Sequence, residues 1–158
     1  AADGSLTWQG FAMDITEVLE KFAFLFADAD EQRESPGAVN EFFHVIMSFS
    51  GPAHGIVSLT APEGLCRELA ANVLGIESAA VTAAALEDAM KELVNIICGN
   101  LTVALFGDQV ICFLTIPAIY RVDRTKWHEL AADLSAVHLG VDDTPLLANL
   151  VVVGGREE

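Results

Sequence analysis

The chain has 158 residues, the size of one domain, and 53% of them are hydrophobic, so a large core is expected and disorder is not. A net charge of −15 with only 8 Lys and Arg leaves no basic surface to neutralise nucleic-acid phosphates or to bind an anionic membrane. No apolar run reaches the roughly 18 residues of a membrane span, and no basic start followed by an apolar stretch marks a signal peptide.

Residues 11–27 carry a helical period, with Phe11, Ile15, Val18, Leu19, Phe22, Leu25 and Phe26 as the expected buried stripe. Phe22, Phe24 and Phe26 mix two periods and read as core, with a face at a subunit contact. Residues 28–38 are acidic, then carry Ser35, Pro36 and Gly37, and read as a loop. Residues 41–49, β-branched and aromatic, read as a strand, and Gly51, Pro52, His54 and Gly55 turn it into a partner strand over 56–59. Pro62 opens a helix that Gly75 ends.

A long helix is expected over 83–106. Gly107 and Asp108 then turn the chain into a strand within 109–120 that Pro117 closes. Residues 129–139 and 146–153 read as a final hairpin with Asp142, Asp143, Thr144 and Pro145 as its turn. The expected class is α+β: long helices packed on one face of a mostly antiparallel sheet, in a single domain over 1–158. The two long helices each precede strands, which points to an internal αββ-type pseudo-repeat with halves near 8–78 and 83–158. On that alignment Glu17 corresponds to Glu92 and Glu20 to Asn95.

The long helix carries the chemistry. At about 100° per residue, Asp88, Glu92 and Asn95 fall within roughly 60° of one another. Their neighbours Leu86, Ala89, Leu93, Val94, Ile96, Ile97 and Leu101 are apolar. Gly99 follows one turn later, although glycine inside a helix costs about 1 kcal/mol relative to alanine. Close approach of another molecule is one reason to keep it. Asn100 points toward the apolar side and reads as a buried, hydrogen-bonded structural amide.

Other chemistries find little support. Cys66, Cys98 and Cys112 are odd in number and form no CxxC, so they read as buried free thiols in a reducing, cytoplasmic compartment. His44, His54, His128 and His138 share no ligand spacing, and no metal site is expected. The SFSGP segment has no acid or histidine at nucleophile-elbow spacing. Trp8 and Trp127 read as packing or surface anchors.

Taken together, these residues resemble the CheX branch of the CheC-like chemotaxis phosphatases. That family places Asp or Ser, three residues, Glu, two residues, Asn and, further along, a Pro. Here Asp88, Glu92 and Asn95 fill the first positions. Pro117 follows Asn95 after 21 intervening residues, one short of the family spacing. Gly99 and Asn100 are similar to the family's Gly-Asn. One motif rather than two fits the CheX branch.

The resemblance implies removal of the phosphoryl group from the phospho-aspartate of a CheY-type receiver domain, in chemotaxis signal termination. Asn95 would orient the attacking water and Glu92 would pair with the receiver's Lys. Asp88 and Gly99 would support them, and Asn100 and Pro117 would be structural. It also implies no cofactor of the chain's own, the Mg²⁺ residing on the receiver, and a homodimer paired through β-strands. An amide suits the task, because it offers a donor and an acceptor to water without adding charge. A carboxylate there would repel the phosphoryl group, so Glu20 should be inert. The alternative is a non-catalytic module of the same fold that binds a receiver or a flagellar switch protein. A third reading is an acidic oligomerisation domain.

Overall fold

In a computed structural model, residues 4–30 and 35–153 are described, the side chains of 4–7 excepted. Four helices and seven strands follow in the order α1 (Gly4–Ala23), β1 (Ala27–Ala29), β2 (Phe42–Ser50), β3 (His54–Pro62), α2 (Glu63–Leu74), α3 (Ala83–Phe106), β4 (Phe113–Leu114), β5 (Ala118–Val122), α4 (Arg124–Ala132), β6 (Ala136–Val141) and β7 (Thr144–Val153). The strands form one antiparallel sheet ordered β1-β6-β7-β3-β2, and both β4 and β5 pair with β2 at its far edge.

Alternate residues of each strand face opposite ways, which gives the sheet two dressed faces. Phe43, Val45, Met47 and Phe49 of β2, with Val57 and Leu59 of β3 and Leu146, Ala148 and Leu150 of β7, lie against α1, α2 and α3 in the main core. Phe42 and Leu147 point the other way and receive Trp127 of α4. The Phe42 and Trp127 rings stack at 4.8 Å. On that second face the buried His44 Nδ1 meets Thr60 Oγ1 at 2.8 Å, and Asn149 Nδ2 donates to Ser135 Oγ at 3.3 Å while its Oδ1 has no hydrogen-bond partner among the described residues.

The long helix forms over the expected residues. Thr82 caps it by accepting from the Ala85 N–H at 3.1 Å, and the Gly107 N–H closes it on the Val103 carbonyl. It is long and apolar enough to span a membrane by length and composition, contrary to the expectation that no stretch is. Its apolar side is instead taken up by α1, α2 and the sheet.

Four expectations about the elements are corrected. First, α1 ends at Ala23. Phe24 adopts a left-handed conformation (φ 56°), and the Leu25 N–H returns to the Leu19 carbonyl at 3.2 Å. Leu25 is buried, but Phe22, Phe24 and Phe26 are exposed, not core. Second, Ala27–Ala29 form an edge strand where a loop was expected. Third, residues 109–112 are not in a strand, and Pro117 separates β4 from β5 instead of ending a strand. Fourth, the first part of 129–139 belongs to a helix. Asp123 caps α4 by accepting from the Lys126 N–H, and Trp127, Leu130 and Ala131 form its apolar side. The final hairpin turns on Asp142 and Asp143 alone, both with positive φ, the geometry that matches strand twist. Thr144 and Pro145 already belong to β7.

Candidate functional site

Burial of one side of α3 decides what the other side presents. Leu86, Ala89, Met90, Leu93, Val94, Ile97 and Leu101 are buried, which turns Asp88, Glu92 and Asn95 outward, and all three are exposed. Among the described residues, none of the three side chains has a hydrogen bond or ion pair. Asn95 sits near the middle of the 24-residue helix, where the backbone is best held.

The facing wall comes from the sheet edge. The β2 ladder pairs Ile46 with Ala118 and Phe49 with Leu114. Met47 and Ser48 therefore stand opposite Thr115, Ile116 and Pro117, one residue too many. This is a β-bulge, a device that bends an edge strand and re-aims a side chain. Pro117 fits because an edge position needs no second N–H. Thr115 stitches the bulge to β2: its N–H donates to the Ser48 carbonyl at 3.0 Å, and its hydroxyl accepts from the Ser48 N–H at 2.9 Å. Ile116 is thrown outward and is 89% exposed.

Between helix and bulge lies an open cleft of about 330 Å³, lined by Asp88, Lys91, Glu92, Asn95, Leu114, Thr115, Ile116 and Pro117. The cleft unites the motif residues with Pro117. Lys91 and residues 114–116 were not anticipated; the signal for residues 114–116 was the apolar run before Pro117, which a strand reading absorbed. The Thr115 hydroxyl is occupied by Ser48, so the cleft holds carboxylates, an amide and one ammonium but no free hydroxyl or thiol nucleophile. Such groups can orient water or a partner's side chain.

Gly99, expected to support the site, and Asn100, expected to be structural, differ in outcome. A Cβ added at Gly99 would meet nothing within 4 Å, so packing inside this chain does not demand glycine there. Asn100 is exposed, a correction to the expected burial, because α1 passes beside it without covering it. Its Nδ2 nevertheless donates to Asp14 Oδ1 at 3.3 Å. On α1, Glu17 and Glu20 are exposed and line a separate hollow with Lys21 and Phe24. Among the described residues no three His, Cys, Asp or Glu side chains gather as a metal site. Cys66 and Cys98 are buried, and burial pushes both thiols up to about 12.

The profile of the family described as chemotaxis phosphatase CheX matches residues 43–136, a span that includes α3, the bulge and most of the sheet. The chain belongs to the CheX family. No curated protein sequence matches it. Among solved structures, CheX from Desulfovibrio desulfuricans is 14% identical with a TM-score of 0.69, over 94% of this chain and 99% of that one. CheX in a CheX–CheY–BeF₃–Mg²⁺ complex from Borrelia burgdorferi is 16% identical with a TM-score of 0.66, over 92% and 97%. FliY from Thermotoga maritima is 10% identical with a TM-score of 0.59, over 95% and 88%. At these identities the likeness is one of fold, and that shared fold takes in α1 and the last hairpin, outside the span the family profile matches.

Proposed function

We propose that this CheX-family chain dephosphorylates the phospho-aspartate of a CheY-type receiver, with Asn95 orienting the attacking water and Glu92 pairing with the receiver's lysine. The observation that carries the reading is the pairing of an exposed, unpartnered amide with an exposed carboxylate one turn before it, on the rigid centre of α3. An acyl phosphate is already activated, and phosphoryl transfer needs mostly positioning and electrostatic support. A cleft without a nucleophile of its own suits that division of labour. The Mg²⁺ in this reading belongs to the receiver, and the Borrelia CheX–CheY complex contains that ion too. Asp88 lies one turn further back and orients the helix face, and Gly99 leaves room for the receiver's loops.

The homodimer implied by the resemblance is also part of the proposal. Pairing at the β1 edge, beside exposed Phe24 and Phe26, leaves the cleft open.

The test is phosphate release from a phosphorylated receiver of the same organism, with and without the protein. Asn95→Ala should slow release by on the order of 100-fold, the scale of a misplaced reacting group, with an unchanged circular-dichroism melt. Equal phosphate loss with and without the wild-type protein would sink the phosphatase reading. Binding without turnover would favour the non-catalytic module.

A further inference from the structure

We infer that Ile116 is the apolar anchor by which this chain holds its receiver, presented for that purpose by the bulge between β4 and β5. The inference rests on the phosphatase reading of the same cleft and adds the surface that supplies affinity.

Three observations carry it. Ile116 and Asn95 line one cleft, so a macromolecule that brings a phosphoryl group to Asn95 must also cover Ile116. Ile116 is 89% exposed and Leu114, on the same cleft wall, is 39% exposed, which leaves an apolar rim beside the polar helix face. The exposure is built rather than incidental. The extra residue in the register, the Thr115–Ser48 hydrogen bonds and the ring of Pro117 hold Ile116 outward.

Charge shows why such an anchor is needed. The chain carries −15, and its cleft offers two carboxylates against one lysine. A phosphorylated partner arrives with further negative charge, so long-range attraction cannot supply the affinity. Desolvation of an apolar side chain near the centre of a contact can. The partner therefore presents an apolar patch beside its phospho-aspartate.

The experiment uses the same organism's receiver loaded with beryllofluoride and Mg²⁺, which binds without turning over, alongside phosphate release from the phosphorylated form. Ile116→Ser should weaken binding about 10-fold, the scale of a truncated interface anchor. It should raise KM by a similar factor and leave kcat within about twofold, as expected for binding felt equally in ground and transition states. Ile116→Leu should retain both values. Asn95→Ala should show the opposite split, with near-normal binding and lost kcat.

If Ile116→Ser binds and turns over like wild type, the inference is overturned while the phosphatase reading stands. If wild type neither binds nor dephosphorylates the receiver, the phosphatase reading falls first. If Ile116→Ser halves the mass measured by light scattering, the rim belongs to a copy–copy contact and the inference is wrong. Leu114→Ser provides a second variant on the same rim, with the same expected direction and a smaller effect.

Discussion

Asn100 donates its amide to Asp14 across the seam between α3 and α1, at 3.3 Å. The other carboxylate oxygen of Asp14, Oδ2, is buried and has no hydrogen-bond partner among the described residues. Burial pushes the Asp14 carboxyl up to about 7, with the Asn100 bond working against the shift and Glu17 adding to it. The folded state therefore keeps a proton that the unfolded chain releases near pH 4. Stability from this group is full below that pH and is lost as pH rises through about 7. Asp14→Asn should be close to neutral at pH 4 and stabilising at pH 8, read as a shift in urea midpoint. A larger gain at pH 4 than at pH 8 contradicts this account.

Gly99 separates stability from function. Because nothing in the chain occupies the place of its missing Cβ, Gly99→Ala should stabilise α3 by about 1 kcal/mol, measured by denaturant titration. If the receiver's loops come close there, the same substitution should slow phosphate release. A variant that is more stable and fully active would remove Gly99 from the site.

The α1 hollow tests the sign of the charge at the working position. Glu17→Gln and Glu20→Ala should leave phosphate release unchanged within about twofold. Asn95→Glu should abolish it, because a carboxylate there repels the phosphoryl group and cannot donate to water. Activity surviving in Asn95→Glu would argue against water orientation by the amide.

Salt reports on how the partners meet. With both sides acidic, binding to the beryllofluoride-loaded receiver should change only weakly between low and physiological salt. A steep loss on adding salt would require an attractive charge pattern that the cleft does not display.

Trp127 fastens α4 to the second face of the sheet by stacking on Phe42. Trp127→Ala should cost about 3–5 kcal/mol in a denaturant titration, the range for removing a buried aromatic. A much smaller loss would mean that α4 is held by something other than this ring pair.

What could be read from residues alone follows the reach of the forces involved. The extent of α3 was legible because a sustained apolar stripe runs up to Gly107, and the Thr82 cap found in the fold sits just before its first residue. The outward direction of Asp88, Glu92 and Asn95 follows from that stripe. Helix α4 was missed because nine residues carry few turns, and Leu130 and Ala131 fit a strand as readily as a helix when Trp127 is left out. The bulge was hidden for a different reason. It exists only relative to the β2 register, a contact more than sixty positions away in the chain. The burial of Asn100 was overestimated because a helical wheel gives direction but not the height of the neighbouring helix. The exposure of Phe22, Phe24 and Phe26 depends on where α1 stops, which a left-handed residue at Phe24 decides.

Asn95 lies about three turns from either end of α3. Fraying at Thr82 or at Gly107 would therefore consume several hydrogen bonds before it loosened the backbone beneath that amide. Thermal loss of turnover should accordingly coincide with collapse of the whole domain rather than precede it.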